Sequence, residues 1–338
     1  MFRSAVALIA ATLLGQTAIA DQAGYKPFGT DAPHHGRGMI GAVFYPAGEG
    51  GRSFTLADSP VFYGVTVTEE ASVADGAFPI VLISHGMGGN IRSLTWLSTA
   101  LAARGAVVVS VNHPNSTWGD FDLGAGLRHW TRTQDLSLAL DVVLSDPQLA
   151  GALDPSRVMV AGFSYGGWTA LSMAGLRGSH AGMVSHCEAY KAVSNHCDVV
   201  LSEAHGLRTI AVDNWDASYR DDRVTHAVAI DPGLTWGLTP AHLNDMAAHV
   251  TLVGLGNGPD RMLATDFDKS GLAEMLPLAD IFRIAPAMHF TALPLCKPMA
   301  EEILQEEQDD PVCSDPEGTD RAAVHQQIVD AIAGQLGL

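Results

Sequence analysis

The feature that most constrains this chain is a repeated alternation. Short, mainly apolar runs recur at residues 80–84, 106–111, 157–161, 224–230, 249–255 and 281–284, and stretches with helical spacing (91–104, 130–144, 165–176) lie between the first several of them. A strand with no polar face must be covered on both sides, and strands separated by helices are joined by crossovers. The pattern therefore predicts an α/β protein: a mostly parallel central sheet with helices on both faces. Residues 39–45 and 61–67 read as opening strands at an antiparallel edge, with the Gly-rich stretch 48–51 as a turn. An amphipathic helix over 320–336 closes the chain. No internal repeat appears, and 338 residues fit one such domain.

Residues 177–222 break the rhythm, with His180, His186, Cys187, Cys197, Trp215 and Tyr219 set in no clean period. They are expected to be an excursion over the sheet's C-terminal edge, where a lid or pocket wall would sit. At the other end, a cationic start at Arg3, an apolar run and the small residues Ala18 and Ala20 read as a signal peptide over 1–20, leaving 21–338 as the mature domain. Gln16 and Thr17 interrupt the apolar run too early for a membrane anchor. The expected location is therefore secreted or periplasmic. Nineteen Lys and Arg against 37 Asp and Glu give a net charge of −18. Such a chain repels phosphate backbones and anionic lipid heads, so neither nucleic acid nor a membrane is an expected partner.

Export suits the four cysteines, Cys187, Cys197, Cys296 and Cys313. Four allow three pairings; nearest neighbours, Cys187 with Cys197 and Cys296 with Cys313, is the pairing expected. Neither sequential pair has the few-residue spacing of a tetrahedral metal site, and no His-Glu-x-x-His motif is present, so no metal and no cofactor is expected.

Gly162-Phe163-Ser164-Tyr165-Gly166 matches Gly-x-Ser-x-Gly between a predicted strand and a predicted helix. Only small residues fit a turn that tight, and the serine is held at the sheet's C-terminal edge beside a helix N-terminus. Ser164 is thus the candidate nucleophile. His85-Gly86-Met87-Gly88-Gly89 follows the 80–84 strand, from which the N–H of Met87 can join the N–H of Tyr165 as an oxyanion hole. A serine hydroxyl needs a general base. Among 14 histidines, His289 follows the 281–284 strand and respects the order serine, acid, histidine. His113 would break that order and is expected to shape the pocket or serve as a polar loop residue, and His85 is expected to be structural. For the acid, Asp231 directly follows the 224–230 strand, whereas Asp260 lies some five residues beyond its strand in a Gly/Pro turn, and Asp266 is more remote. Position favours Asp231, with Asp260 the alternative.

These pieces, together with Val111-Asn112-His113-Pro114 and Ala229-Ile230-Asp231-Pro232, resemble the α/β-hydrolase superfamily across nearly the whole mature chain. More narrowly, they resemble the predicted dienelactone-hydrolase and platelet-activating-factor-acetylhydrolase-like group. The resemblance implies the α/β-hydrolase fold and a serine ester hydrolase without a cofactor. Acetylhydrolase-like members carry the acid after the strand that follows the nucleophile helix, which falls on Asp231; many dienelactone-hydrolase relatives carry it later, which would fall on Asp260. Dienelactone hydrolases proper use a cysteine nucleophile where this chain has Ser164, so their substrate does not transfer. Residues 177–222 are also longer than the group leads one to expect. The resulting expectation is hydrolysis of a small-molecule ester with a short or medium acyl group. Lactones, thioesters and phospholipid acetyl esters are chemically related alternatives, and a catalytically silent binding protein is the alternative from another class.

Overall fold

A computed structural model describes residues 22–194 and 197–338. The signal peptide expected over 1–20 lies outside the described residues. Ten strands form one sheet: β1 (Ala23–Ala32), β2 (Arg37–Pro46), β3 (Arg52–Leu56), β4 (Val65–Glu69), β5 (Phe78–Ser84), β6 (Val107–Val111), β7 (Leu153–Phe163), β8 (Val224–Ile230), β9 (His249–Leu255) and β10 (Asp280–Ile284). Their spatial order is β10-β9-β8-β7-β5-β6-β2-β1-β4-β3. From β10 to β6 every neighbouring pair is parallel. The antiparallel pairs are β6 with β2, β2 with β1, and β4 with β3.

The alternation of side chains along each strand builds two core layers. In β5, Val81 and Ile83 face one layer while Ile80 and Leu82 face the other; in β7, Met159 and Ala161 oppose Val158 and Val160. Helices α1 (Thr95–Ala103) and α4 (Arg321–Leu336) cover the first layer, and α2 (His129–Leu144) and α3 (Tyr165–Met173) contribute to the second. Because both faces of β5 are fully buried, truncating Leu82 to Ala would cost about 2–5 kcal/mol. Order reverses between β5 and β7: the chain runs from β5 outward to β6 on one side and from β7 outward to β8 on the other. Loops leaving the carboxyl ends of those two strands diverge, and such a switch point opens the crevice where ligands bind in sheets of this kind.

The interior strands and the closing helix lie where the pattern put them, with Asp320 capping α4 by accepting from the Ala323 N–H at 3.0 Å. At the antiparallel edge the expected 39–45 strand lies within β2, but the rest differs. The sheet opens at β1, whose first residue is Ala23 rather than the expected residue 39, and β1 pairs with β2 over its full length. Of the expected 61–67 strand, only the end belongs to β4; residues 59–62 are held in a turn by Ser59 N–H to the Phe62 carbonyl and Phe62 N–H to Ser59 Oγ. Pro60 brings no N–H to a ladder there, and the true partner, β3, follows directly on the Gly48–Gly51 turn. Helix α3 stops at Met173 because Gly175 takes φ +108 and lies so close to Asp245 that any Cβ would meet its carbonyl oxygen at 2.2 Å.

Candidate active site

Ser164 stands between β7 and α3 with φ 58 and ψ −117, a conformation costing about 1–3 kcal/mol for a residue with a Cβ. The flanking glycines make the turn possible. A Cβ on Gly162 would meet the Gly166 carbonyl oxygen at 2.1 Å, and one on Gly166 would meet the Ser84 carbonyl oxygen at 1.9 Å. The Ser164 N–H is anchored to the Ile230 carbonyl at 2.9 Å, tying the turn to the end of β8.

From that turn a hydrogen-bonded line runs through three side chains. Ser164 Oγ is 3.1 Å from His289 Nε2, and His289 Nδ1 is 3.0 Å from Asp231 Oδ2. The carboxylate accepts, so Nδ1 carries the proton and Nε2 is free to accept from the serine hydroxyl. Asp231 is fully buried and follows β8; its Oδ1 accepts from the Leu255 N–H at 2.9 Å and from Arg261 Nη1. Asp260 is exposed and contributes nothing to this line, and Asp266 accepts instead from the Asp268 and Lys269 N–H groups.

Arg261 is the member that sequence reasoning missed. It adjoins the alternative acid Asp260, and its guanidinium turns inward to Asp231, to the Leu255 carbonyl and to the Thr265 carbonyl while lying over the Phe267 ring. A residue at a loop end carries no periodic signal, so only the fold brings it to β8.

Gly86 packs against Ser164, with its would-be Cβ 3.3 Å from the serine Cβ. The next N–H, that of Met87, donates to no backbone acceptor among the described residues. Tyr165 is the first residue of α3, so its N–H has no intrahelical acceptor either. Behind this loop is a buried polar frame. Arg132 from α2 donates to the His85 carbonyl, to Ser84 Oγ at 3.0 Å and to Ser116 Oγ at 2.6 Å, and its guanidinium lies 4.5 Å from the centre of the Tyr165 ring. Burial pushes Arg132 down to about 10, which leaves it charged at neutral pH. His85 and His113 belong to this frame: His85 Nδ1 donates to the Gly86 carbonyl, and His85 Nε2 accepts from the His113 N–H. Burial, reinforced by Arg132, holds His85 well below the ordinary histidine range and His113 at about 4, so both are neutral at pH 7. The signal for the frame was present in α2, whose polar His129, Arg132 and Asp135 repeat every three residues on a buried face.

Ser164 and His289 open into a cavity of about 510 Å³. Its walls are the 57–62 loop, the Gly86–Asn90 turn, Trp118, Phe163, Phe290 and the segment 293–312, including Leu304 and Val312. The described residues of 177–222 supply none of its lining. They pack elsewhere, burying Met183, Cys187, Leu207 and Trp215 against Trp168 and Leu171 of α3, because Trp215 and the cystine offer an apolar face that α3 completes. The wall comes instead from the other excursion, stapled by Cys296–Cys313; the first bridge, Cys187–Cys197, lies in 177–222. Both bridges follow the nearest-neighbour pairing. A larger cavity, about 880 Å³, lies between His34, the start of α2 and residues 204–214 and contains none of the three aligned side chains.

No protein-family model matches the chain. Over 133 residues it is 31% identical to the bis(hydroxyethyl) terephthalate hydrolase of Streptomyces coelicolor, covering 37% of this chain and 40% of that one. Over 105 residues it is 31% identical to cutinase est2 of Thermobifida alba, covering 30% of this chain and 32% of that one. A similar match, 31% over 105 residues, links it to cutinase 2 of Thermobifida cellulosilytica. The chain thus spans less than half the length of these relatives. Among solved structures, a ferulic acid esterase from Streptomyces cinnamoneus superposes with a TM-score of 0.56 at 16% identity over 95% of this chain and 92% of that one. A dienelactone hydrolase-like promiscuous phosphotriesterase from metagenomic libraries gives 0.52 at 14% identity over 93% and 99%.

Proposed function

The chain has the α/β-hydrolase fold, and on that premise we propose that it is a serine-dependent carboxylic-ester hydrolase working through an acyl-enzyme. The observation that carries this reading is the line from Ser164 Oγ through His289 to Asp231, set on a strained turn beside the Met87 and Tyr165 amides. Ser164 attacks the ester carbonyl while His289 Nε2 takes the hydroxyl proton. The tetrahedral oxyanion is held by the N–H groups of Met87 and Tyr165, donors fixed before reaction and therefore free of reorganisation. His289 passes its proton to the leaving alcohol, leaving Ser164 acylated. Water then loses a proton to His289 as it attacks, and collapse releases the acid and restores the Ser164 hydroxyl. Asp231 holds the His289 tautomer and stabilises the imidazolium that forms twice per turnover.

The partial identity to a terephthalate-ester hydrolase and to cutinases supports ester chemistry. The cavity's aromatic and aliphatic walls suit a short or medium acyl ester. Its rim carries Glu307, Asp309 and Asp310 against Arg92, so uncharged esters are favoured over carboxylate-bearing ones. The reading includes export, supported by two disulfides, and no helix among the described residues is long and apolar enough to cross a membrane. The test is hydrolysis of nitrophenyl esters of increasing acyl length by wild type and Ser164→Ala, with fluorophosphonate labelling alongside. Turnover and labelling that both vanish in the variant are expected. Turnover surviving in the variant, or a folded wild type that neither turns over nor labels, overturns the proposal.

A further inference from the structure

The polar frame extends away from Ser164 to a second cluster that the ester chemistry does not use. The turn between β1 and β2 is a single 3₁₀ turn, Pro33–His35, opened by proline and closed by Gly36 at φ 67. It presents two consecutive histidines to one buried carboxylate: His34 Nε2 lies 2.7 Å and His35 Nε2 2.9 Å from Asp135 Oδ1. The two rings are 4.4 Å apart. Asp135 is wholly buried, and its other oxygen, Oδ2, is held by His113 Nδ1 at 2.8 Å.

We propose that His34, His35 and Asp135 form a binding site for one divalent transition-metal ion of the zinc class. Two imidazoles with one carboxylate suit zinc and its neighbours, whereas calcium and magnesium prefer oxygen ligands. With bonds of about 2.0 Å, tetrahedral ligand atoms lie about 3.3 Å apart, so the rings need to retreat only about half an ångström from Asp135. Hydrogen bonding fills the same positions with protons that an ion displaces. His35 Nδ1 is 3.4 Å from Asn115 Nδ2, too long a contact to fix the ring's tautomer. Support from behind is already built: His113 orients Asp135, and His113 Nε2 rests on Ser84 Oγ at 2.9 Å. Groups in that position hold a ligand's orientation in metal sites. Access is also present, since His34 borders the 880 Å³ cavity, leaving a coordination position open to water.

The test uses purified, chelator-treated protein without a polyhistidine tag, titrated with Zn²⁺ by calorimetry and with Co²⁺ by visible absorption. One equivalent of each is expected, with Co²⁺ giving ligand-field bands and Zn²⁺ raising the Tm. His34→Ala and His35→Ala should each weaken binding by more than about 100-fold, beyond the range for a group that only supports a ligand. His242→Ala, in the separate turn Pro240–Leu243, should bind as wild type does. Asp135→Asn tests the carboxylate where it folds; His34, at the cavity edge, keeps the test independent of that outcome, with circular dichroism as the folding check. A wild type that takes up no stoichiometric ion, or a His34→Ala protein that binds as tightly as wild type, overturns the assignment. Ester hydrolysis is not the readout, so the result stands apart from the fate of the Ser164 proposal.

Discussion

Removing the Cys296–Cys313 bridge with Cys296→Ser and Cys313→Ser is expected to impair both stability and catalysis, whereas removing Cys187–Cys197 impairs stability alone. The sequence separations are 17 and 10 residues. On the chain-entropy account such loops contribute about 3.1 and 2.7 kcal/mol, so the two double variants should lose nearly the same stability. Their positions differ. Cys296–Cys313 closes the segment whose Leu304 and Val312 wall the Ser164 cavity; Cys187–Cys197 is buried with Trp168 and Leu171 of α3, outside that lining. Once unstapled, Leu304 and Val312 must be ordered by the substrate, at about 1 kcal/mol each, which is about 30-fold in KM.

The assay is urea unfolding together with steady-state kinetics on nitrophenyl butyrate. KM should rise about 30-fold without Cys296–Cys313 and stay within about twofold without Cys187–Cys197, at matched losses of stability. A Cys187/Cys197 variant whose KM rises as much would show that residues 177–222 govern the pocket after all. An unchanged KM in the Cys296/Cys313 variant would show that the wall does not depend on its staple. Either result refutes the reasoning.

Three further outcomes follow from particular contacts. Both Ser164→Gly and Ser164→Ala should abolish turnover, but the glycine variant should be more stable than the alanine one by about 1 kcal/mol in urea unfolding, because glycine relieves the φ 58 turn. Arg261→Met strips the buried Asp231 carboxylate of its cationic partner; a loss of about 3 kcal/mol and a fall in kcat are expected, and a variant with wild-type stability and kcat would contradict the role given to Arg261. Burial holds His129 and His325 at about 4 against an ordinary 6.5, so between those values the unfolded chain binds more protons and stability falls as the pH is lowered. Each should subtract about 2 kcal/mol between pH 7 and pH 5, and an unfolding free energy no lower at pH 5 would refute this.

How much of this was legible in the sequence depended on whether a residue's role is set locally. Strands β5 to β9 are short runs buried on both faces, and such runs announce themselves by composition alone. At the antiparallel edge the burial of β3 is partial and much of β1 alternates only between half-buried and exposed. A weakly amphipathic strand beside a proline-containing loop looks like either neighbour, which is why 61–67 reads as a strand although its first residues wall the cavity. Ser164 was legible because its turn demands Gly162 and Gly166 nearby in sequence. His289 and Asp231 were legible because each closely follows a strand, so that chain order alone delivers them to one edge of the sheet.

Nothing local marks the groups that support them. Arg261 reaches Asp231 across 30 residues and Arg132 reaches the His85 carbonyl across 47; each is fixed by a tertiary contact that no spacing rule encodes. Misplacing the excursion has the same origin. A long irregular insertion after the nucleophile helix is a reasonable lid on position alone, but Trp215 and the Cys187–Cys197 cystine give residues 177–222 a core of their own to complete. The segment with fewer large apolar groups to bury, 293–312, is the one left to stand over Ser164, and it does so fastened by its own bridge. A wall that cannot bury itself needs a covalent staple to hold its shape, and that is why the Cys296–Cys313 bridge, of the two, should be the one that catalysis registers.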